Sequence, residues 1–395
     1  MGGFLLRRGG EGARAGRNRR LPESRLPKYA LLVGSADFMA QARIDMAKAR
    51  RRLLVQAMTF EGDQAGLGVG RAVMASPATD RRVLVDDFTR FVVSDRFVFS
   101  PHGLLDPEFR AEVKATRGMF DALSRLGVPV RVTNPAGPLL LGFPFRNHKK
   151  LIVTDNTAYL GGINFSDHNF AWHDLMLRIE DAEVSDLLAA DFESTWQGQG
   201  RSWNAERGDI ALFGLDGRDN HARFGEIIGA IETAEREVVV VSPYLTFPFT
   251  GALARAAARG VEVTLVTPAA NNKPIVRDYL LRTAARDGLR VRLTPEMIHL
   301  KGMLIDGRRL VLGSSNFDFV SYWIEEELVA VVSNPALIAD FRARVLEPLI
   351  AGALPEGAMQ PSQARGWRAK ALLGAAGFLL GLGLPVRRTS IPWRE

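Results

Sequence analysis

The chain has 395 residues, 47% of them hydrophobic and 24% charged, and no cysteine. That length suits two or three domains, and the lack of cysteine excludes disulfides and cysteine-ligated zinc. The net charge of +7 lies at the ends: residues 1–28 carry +6 and 361–395 carry +5, which leaves −4 on 29–360. A mildly acidic body argues against tracking a nucleic-acid backbone, which needs a basic groove, so no nucleic-acid partner is expected. Basic ends fit an anionic membrane surface or simple solubilising tails. No stretch reaches the roughly 20 apolar residues of a spanning helix, and the start lacks the apolar core, about 7–15 residues long, of a signal peptide. A membrane-associated protein at the cytoplasmic face is the expectation.

Residues 1–28, rich in Gly and Arg, read as a disordered arm. A helix is predicted over 38–52 and a buried strand over 53–60, whose near-continuous apolar run suits a sheet covered on both faces. A second helix (66–74) and strand (82–87) follow, the strand ending in Asp86-Asp87. The order then recurs: helix 224–237, strand 238–244, helix 250–259, strand 261–266. Strands at 129–132 and 290–293 also correspond. Alternating strands and helices indicate an α/β sheet. The first half is longer by about 34 residues, which are expected within the Phe-rich stretch 88–120, as a lid, a substrate wall or extra edge packing. A helix over 335–349 and a linker over 352–363 precede a C-terminal apolar stretch with basic flanks, Trp367 to Arg388. At 14 residues its uncharged part is too short to span a bilayer. It can lie in the membrane interface or dock on the body.

One stretch occurs twice. His148-Lys149-Lys150-Leu151-Ile152-Val153-Thr154-Asp155 and His299-Leu300-Lys301-Gly302-Met303-Leu304-Ile305-Asp306 are both His-x-Lys-x4-Asp. Each leads to a glycine-rich turn and an asparagine, Asn164 and Asn316. The histidines and aspartates recur at an offset of 151 and the asparagines at 152, the signature of a duplicated domain. Side chains alternate along a strand, so His148 and Lys150 share a face, as do His299 and Lys301. Asp155 and Asp306 fall at the far end of each strand, and the return strand brings Asn164 and Asn316 back beside the His-Lys pair. Lysine and asparagine donate to phosphate oxygens, and histidine serves as nucleophile or proton carrier. Lysine is a poor metal ligand and no cysteine assists, so neither a metal nor another cofactor is expected.

The paired motifs resemble those of the phospholipase D superfamily, over about residues 35–345. The resemblance implies two duplicated phospholipase D-like α/β/α sandwich domains (29–205 and 206–350) packed around a pseudo-twofold axis, with 351–395 as a tail. It also implies metal-independent phosphodiester exchange through a phosphohistidine, with His148 as nucleophile and His299 as general acid. Lys150, Lys301, Asp155 and Asp306 complete the catalytic set. Asn164 and Asn316 bind phosphate, while Asp174 and Glu327, each following its own motif, orient the histidine of that motif. Phe60-x-x-Asp63-x-x-Gly66, Trp172-x-Asp174 and Gly313-Ser314-Ser315-Asn316-Phe317-Asp318 are similar to stretches of bacterial cardiolipin synthases. Val320-Ser321 and Glu325 depart from that pattern, where Arg-Ser and Asn are usual. The resemblance implies a phosphatidyltransferase acting on phospholipid, with an acceptor such as phosphatidylglycerol. Phospholipid hydrolysis and nucleic-acid phosphodiester cleavage are the competing readings.

Overall fold

In the computed structural model, the described residues are 19–20, 27–359, 362–382 and 388–393. Apart from Arg19, Arg20, Pro27 and Lys28, the expected basic arm lies outside them. Arg19 and Arg20 pair in parallel with Ala205 and Glu206.

The first half runs β1 (Lys28–Val33), α1 (Gly34–Lys48), β2 (Arg52–Ala57), α2 (Gln64–Ala75), β3 (Asp80–Asp86), α3 (Pro107–Arg125), β4 (Val130–Thr133), β5 (Leu151–Val153), β6 (Thr157–Gly161), β7 (Leu175–Glu180) and α4 (Ala182–Trp196). The second runs β8 (Trp203–Arg207), β9 (Ile210–Asp216), α5 (Asn220–Glu232), β10 (Glu237–Val241), α6 (Phe249–Ala258), β11 (Glu262–Pro268), α7 (Pro274–Asp287), β12 (Arg290–Thr294), β13 (Gly302–Ile305), β14 (Arg309–Gly313), β15 (Glu326–Val332) and α8 (Pro335–Phe341). The tail adds α9 (Gln363–Gly381) and β16 (Ser390–Pro392).

One strand order serves both halves: β1-β7-β6-β5-β2-β3-β4 in the first sheet and β9-β15-β14-β13-β10-β11-β12 in the second. In each, the three strands linked through helices pair in parallel. The motif hairpin, β5-β6 or β13-β14, pairs antiparallel. β8 pairs with β9, so it belongs to the second sheet although the expected boundary at 205/206 cuts through it.

Each sheet has helices on both faces: α1, α2 and α3 or α5, α6 and α7 on the outer one, and α4 or α8 on the inner one, where the halves also meet. Leu151, Leu160 and Leu177 of the first half pack in one buried cluster with Leu304, Leu312 and Leu328 of the second. Burial of a leucine contributes about 1.5–3 kcal/mol, so this shared cluster contributes to holding the halves together.

The extra length of the first half is divided, not confined to 88–120. Helix α3 occupies the same place as α7, between the third and fourth strands. Most of the excess is the segment 87–106, where the second half has only 269–273, together with the loop 134–150, where it has 295–301; α3 is also longer than α7. Periodicity located the phenylalanines but could not pair helix 107–125 with its counterpart.

The tail is not a detached segment. Helix α9 lies on α7 through a stripe of small residues. A Cβ at Gly366 would meet the Arg282 side chain at 2.6 Å, and one at Gly377 would meet the Phe247 ring at 2.5 Å. Strand β16 then extends the first sheet beside β4, and Trp393 packs on Phe120 with ring centroids 4.5 Å apart. Phe378 (69% exposed), Leu379 and Leu372 point outward from α9. No helix among the described residues is long and apolar enough to cross a membrane.

Candidate active site

Both motif histidines stand at the interface between halves, where each motif meets the other half's last strand. The backbone N–H of His148 donates to Glu326 O (2.8 Å), and Glu326 N–H donates to Arg146 O (3.0 Å). Across the pseudo-twofold, His299 N–H donates to His173 O (2.8 Å). These short bridges lay 146–148 beside 325–327 and 172–174 beside 297–299.

The bridges cross the carboxylates over. His148 Nδ1 lies 3.2 Å from Glu327 Oε1, and His299 Nδ1 lies 2.8 Å from Asp174 Oδ2. The expected pairing of each histidine with the acid of its own motif is thus corrected. Each acid serves the opposite half, because a strand's end faces the partner domain and not its own hairpin. A carboxylate at Nδ1 holds the proton there and leaves Nε2 with its lone pair.

Strand alternation places the lysines. Lys150 Nζ donates to His148 O at 2.7 Å, and Lys301 Nζ donates to His299 O and stands 2.7 Å from His299 Nδ1. Lys149 takes the other face and forms a buried ion pair with Asp191 (2.8 Å). Burial, then the neighbouring lysine charge, pushes His148 down to about 4 and His299 to about 3, against the opposing pull of Glu327 and Asp174. Burial also pushes Lys150 down to about 8 and Lys301 to about 7. Each lysine also acts on the other half's histidine. Near neutral pH both imidazoles are therefore uncharged. Any anion held beside the two lysines favours their charged forms and a proton on histidine.

Glu327 is fully buried. Its oxygens accept from Ser321 Oγ (2.6 Å) and Ser314 Oγ. Burial raises it, but His148, the Lys150 charge and the Ser314 hydroxyl together hold it below the usual carboxylate range. Glu325 beside it is raised well above that range by burial and by the charges of Glu327 and Asp318. Neither serine stands out in sequence: Ser314 lies within a turn read for its glycine, and Ser321 beside Val320, which departs from the usual Arg-Ser pair. Their signal was the buried acid two strands away, which needs the fold.

Asn164 and Asn316 are buried. Asn164 Oδ1 accepts from Thr59 N–H (3.2 Å), whereas Asn316 Oδ1 has no partner, an acceptor left free beside the site. Asp155 and Asp306 are not brought to the histidines. Asp155 accepts from the backbone N–H groups of Arg50, Arg51 and Arg52 at 2.9–3.0 Å, and Asp306 from those of Glu235, Arg236 and Glu237. They tie the α1–β2 and α5–β10 turns to the far ends of the hairpins, so their catalytic assignment is corrected to a structural one. His148, Glu325 and Glu327 form the one group, among the described residues, with ligand atoms within 4.8 Å of one another, a spacing that admits a cation.

The extra segments of the first half pack on each other as an aromatic wall, the second of them running directly into His148. Phe143 of the second segment meets Phe88, Phe91 and Phe97 of the first at centroid distances of 5.9–6.3 Å. Asp86 anchors both, accepting from Phe88 N–H (2.8 Å) of the first and from Arg146 (2.7 Å) and Asn147 N–H (2.6 Å) of the second. The turn at Ser94-Asp95 reaches the second half, where Asn272 Nδ2 donates to Asp95 (3.0 Å). Trp172 and Tyr244 flank His299 at 5.3 and 6.1 Å.

Comparison with known proteins is consistent with this geometry. Residues 43–196 and 227–347 match the family described as cardiolipin synthase, PLD-like domain. Cardiolipin synthase B of Shigella flexneri is 26% identical over 343 residues, covering 78% of this chain and 76% of the relative. Cardiolipin synthase A of Proteus mirabilis is 26% identical over 230 residues, covering 49% and 46%. The crystal structure of phosphatidylserine synthase from Haemophilus influenzae superposes with a TM-score of 0.66 at 16% identity, covering 91% of this chain and 97% of that one. The last comparison concerns the fold alone.

Proposed function

The chain belongs to the cardiolipin synthase, PLD-like domain family, an enzyme class of phospholipid phosphatidyltransferases, and on that footing we propose the two-step reaction of cardiolipin synthase type. His148 Nε2 attacks the phosphorus of a phospholipid, and the leaving alcohol takes a proton from His299. The phosphatidyl group stays on His148 until an alcohol acceptor such as phosphatidylglycerol, deprotonated by His299, displaces it. Lys150, Lys301, Asn164 and Asn316 stabilise the charge on the phosphoryl oxygens. Asp174 and Glu327 set the tautomers from the opposite halves.

The observation that carries this reading is the pair of buried His-Lys sets, each with its carboxylate, at one interface. The aromatic wall supports transfer over hydrolysis, since excluding water favours the alcohol acceptor. A membrane-surface location at the cytoplasmic leaflet is supported by the basic ends and by the apolar outer side of α9. Mass-resolved product analysis with purified protein and phosphatidylglycerol tests the reading. Cardiolipin and glycerol are expected, whereas phosphatidic acid as the only product means hydrolysis.

A further inference from the structure

The wall has an outer side that the chemistry does not use. Helix α3 and the segment 98–104 enclose a groove of about 570 Å³. Val98, Phe99 and Leu104 line it with apolar surface, and Arg110, Lys114 and Arg117 of α3 stand along it. These cations recur at helical spacing on one face. Among the described residues none of the three has a carboxylate within 4 Å, whereas Arg96, just before that segment, is paired with Asp106 and Glu112. Leu104 is 53% exposed, Phe99 53% and the adjoining Leu105 81%. An apolar trough with unpaired cations on one side is unusual on a body whose net charge is −4. The volume lies within the range of ligand sites, about 300–1,000 Å³.

We propose that this groove holds an acyl chain of an anionic membrane phospholipid, whose phosphate is bound by Arg110, Lys114 and Arg117. The occupant follows from charge complementarity: a single molecule with an apolar chain and a phosphodiester matches both the floor and the rim. The site is separate from the histidines but belongs to the wall whose turn at Ser94-Asp95 touches Asn272 of the second half. It anchors the first half to the bilayer beside the entrance, where long-chain substrate must be lifted out. The inference rests on the phospholipid reading of the active site for its purpose, not for its chemistry.

The test uses the full chain and vesicles of phosphatidylcholine alone or with phosphatidylglycerol. The triple variant Arg110→Gln, Lys114→Gln, Arg117→Gln is compared with wild type by vesicle flotation. Each basic residue near an anionic surface contributes about fivefold, so partitioning onto phosphatidylglycerol vesicles is expected to fall about a hundredfold. Binding to pure phosphatidylcholine should change little. Because α9 supplies a second apolar surface, a local probe is added. The chain has no cysteine, so Leu104→Cys carries a single fluorophore, which brominated acyl chains should quench in vesicles. An unchanged partition of the triple variant, or a label at 104 that brominated lipid leaves unquenched, overturns the proposal. Cardiolipin formation measured on the same samples keeps the two readings apart. Turnover without quenching sinks only the groove, and quenching without turnover sinks only the catalytic reading.

Discussion

The crossing of the carboxylates is open to a direct perturbation. Glu327→Gln keeps the shape of the side chain and its hydroxyl partners but removes the charge facing His148 at 3.2 Å. A hydrogen bond to a charged group contributes about 1.5–3 kcal/mol against about 0.5–1.5 for a neutral one. The change therefore removes roughly 1–2 kcal/mol of support from the state in which His148 carries positive charge, and more where the amide turns a donor toward Nδ1. Formation of the phosphatidyl-histidine should slow about 5- to 30-fold. Asp174→Asn should act instead on His299 and slow release of the leaving alcohol. Rapid quench with acyl-labelled phospholipid follows the adduct; a phosphatidyl ester of p-nitrophenol, which leaves without needing a proton, should restore the rate in Asp174→Asn but not in Glu327→Gln, and thermal unfolding checks that each variant is folded. If Glu327→Gln labels His148 at the wild-type rate while Asp174→Asn does not, the acids act within their own halves and the reasoning fails.

Other expectations follow from the same geometry. Tungstate or phosphate should inhibit by binding between the lysines. Lys301 and Lys150 are pushed down to about 7 and 8, so they lose charge as pH rises through those values, and inhibition should weaken from pH 6.5 to 9. An inhibition constant that is flat across this range contradicts the assignment. Asp155→Ala removes an acceptor from three backbone N–H groups; urea unfolding should show a loss of about 1–3 kcal/mol, with kcat within a few-fold of wild type. Trp393→Ala should cost about 3–5 kcal/mol of stability, because the ring is buried against Phe120 in the first half. A variant as stable as wild type would show that the tail does not strap the halves.

Much of this was legible from sequence where the signal was local. The repeat offset foretold two matching sheets, and strand alternation foretold that Lys150 faces with His148 while Lys149 does not. What escaped depends on contacts between distant segments. Nothing in the order of residues says that Glu327 lies beside His148, since that pairing is made by backbone bridges between 146–148 and 325–327. The same holds for Ser314 and Ser321, which matter only because they hold a buried acid. Asp155 and Asp306 misled because they belong to the repeated motif. A motif records everything the duplicated hairpin needs, including the turn that closes it. The tail was read for hydrophobicity, which sees leucines and not the glycine stripe that lets α9 pack closely.

The central claim is a covalent intermediate on one histidine of a composite site. Acid-free trapping with phospholipid, followed by peptide mass analysis, tests it most directly. A phosphatidyl adduct is predicted on the peptide containing His148, lost in His148→Ala and, with a substrate whose alcohol leaves without a proton, accumulating in His299→Ala. An adduct on His299, or turnover with no adduct on either histidine, would contradict the account.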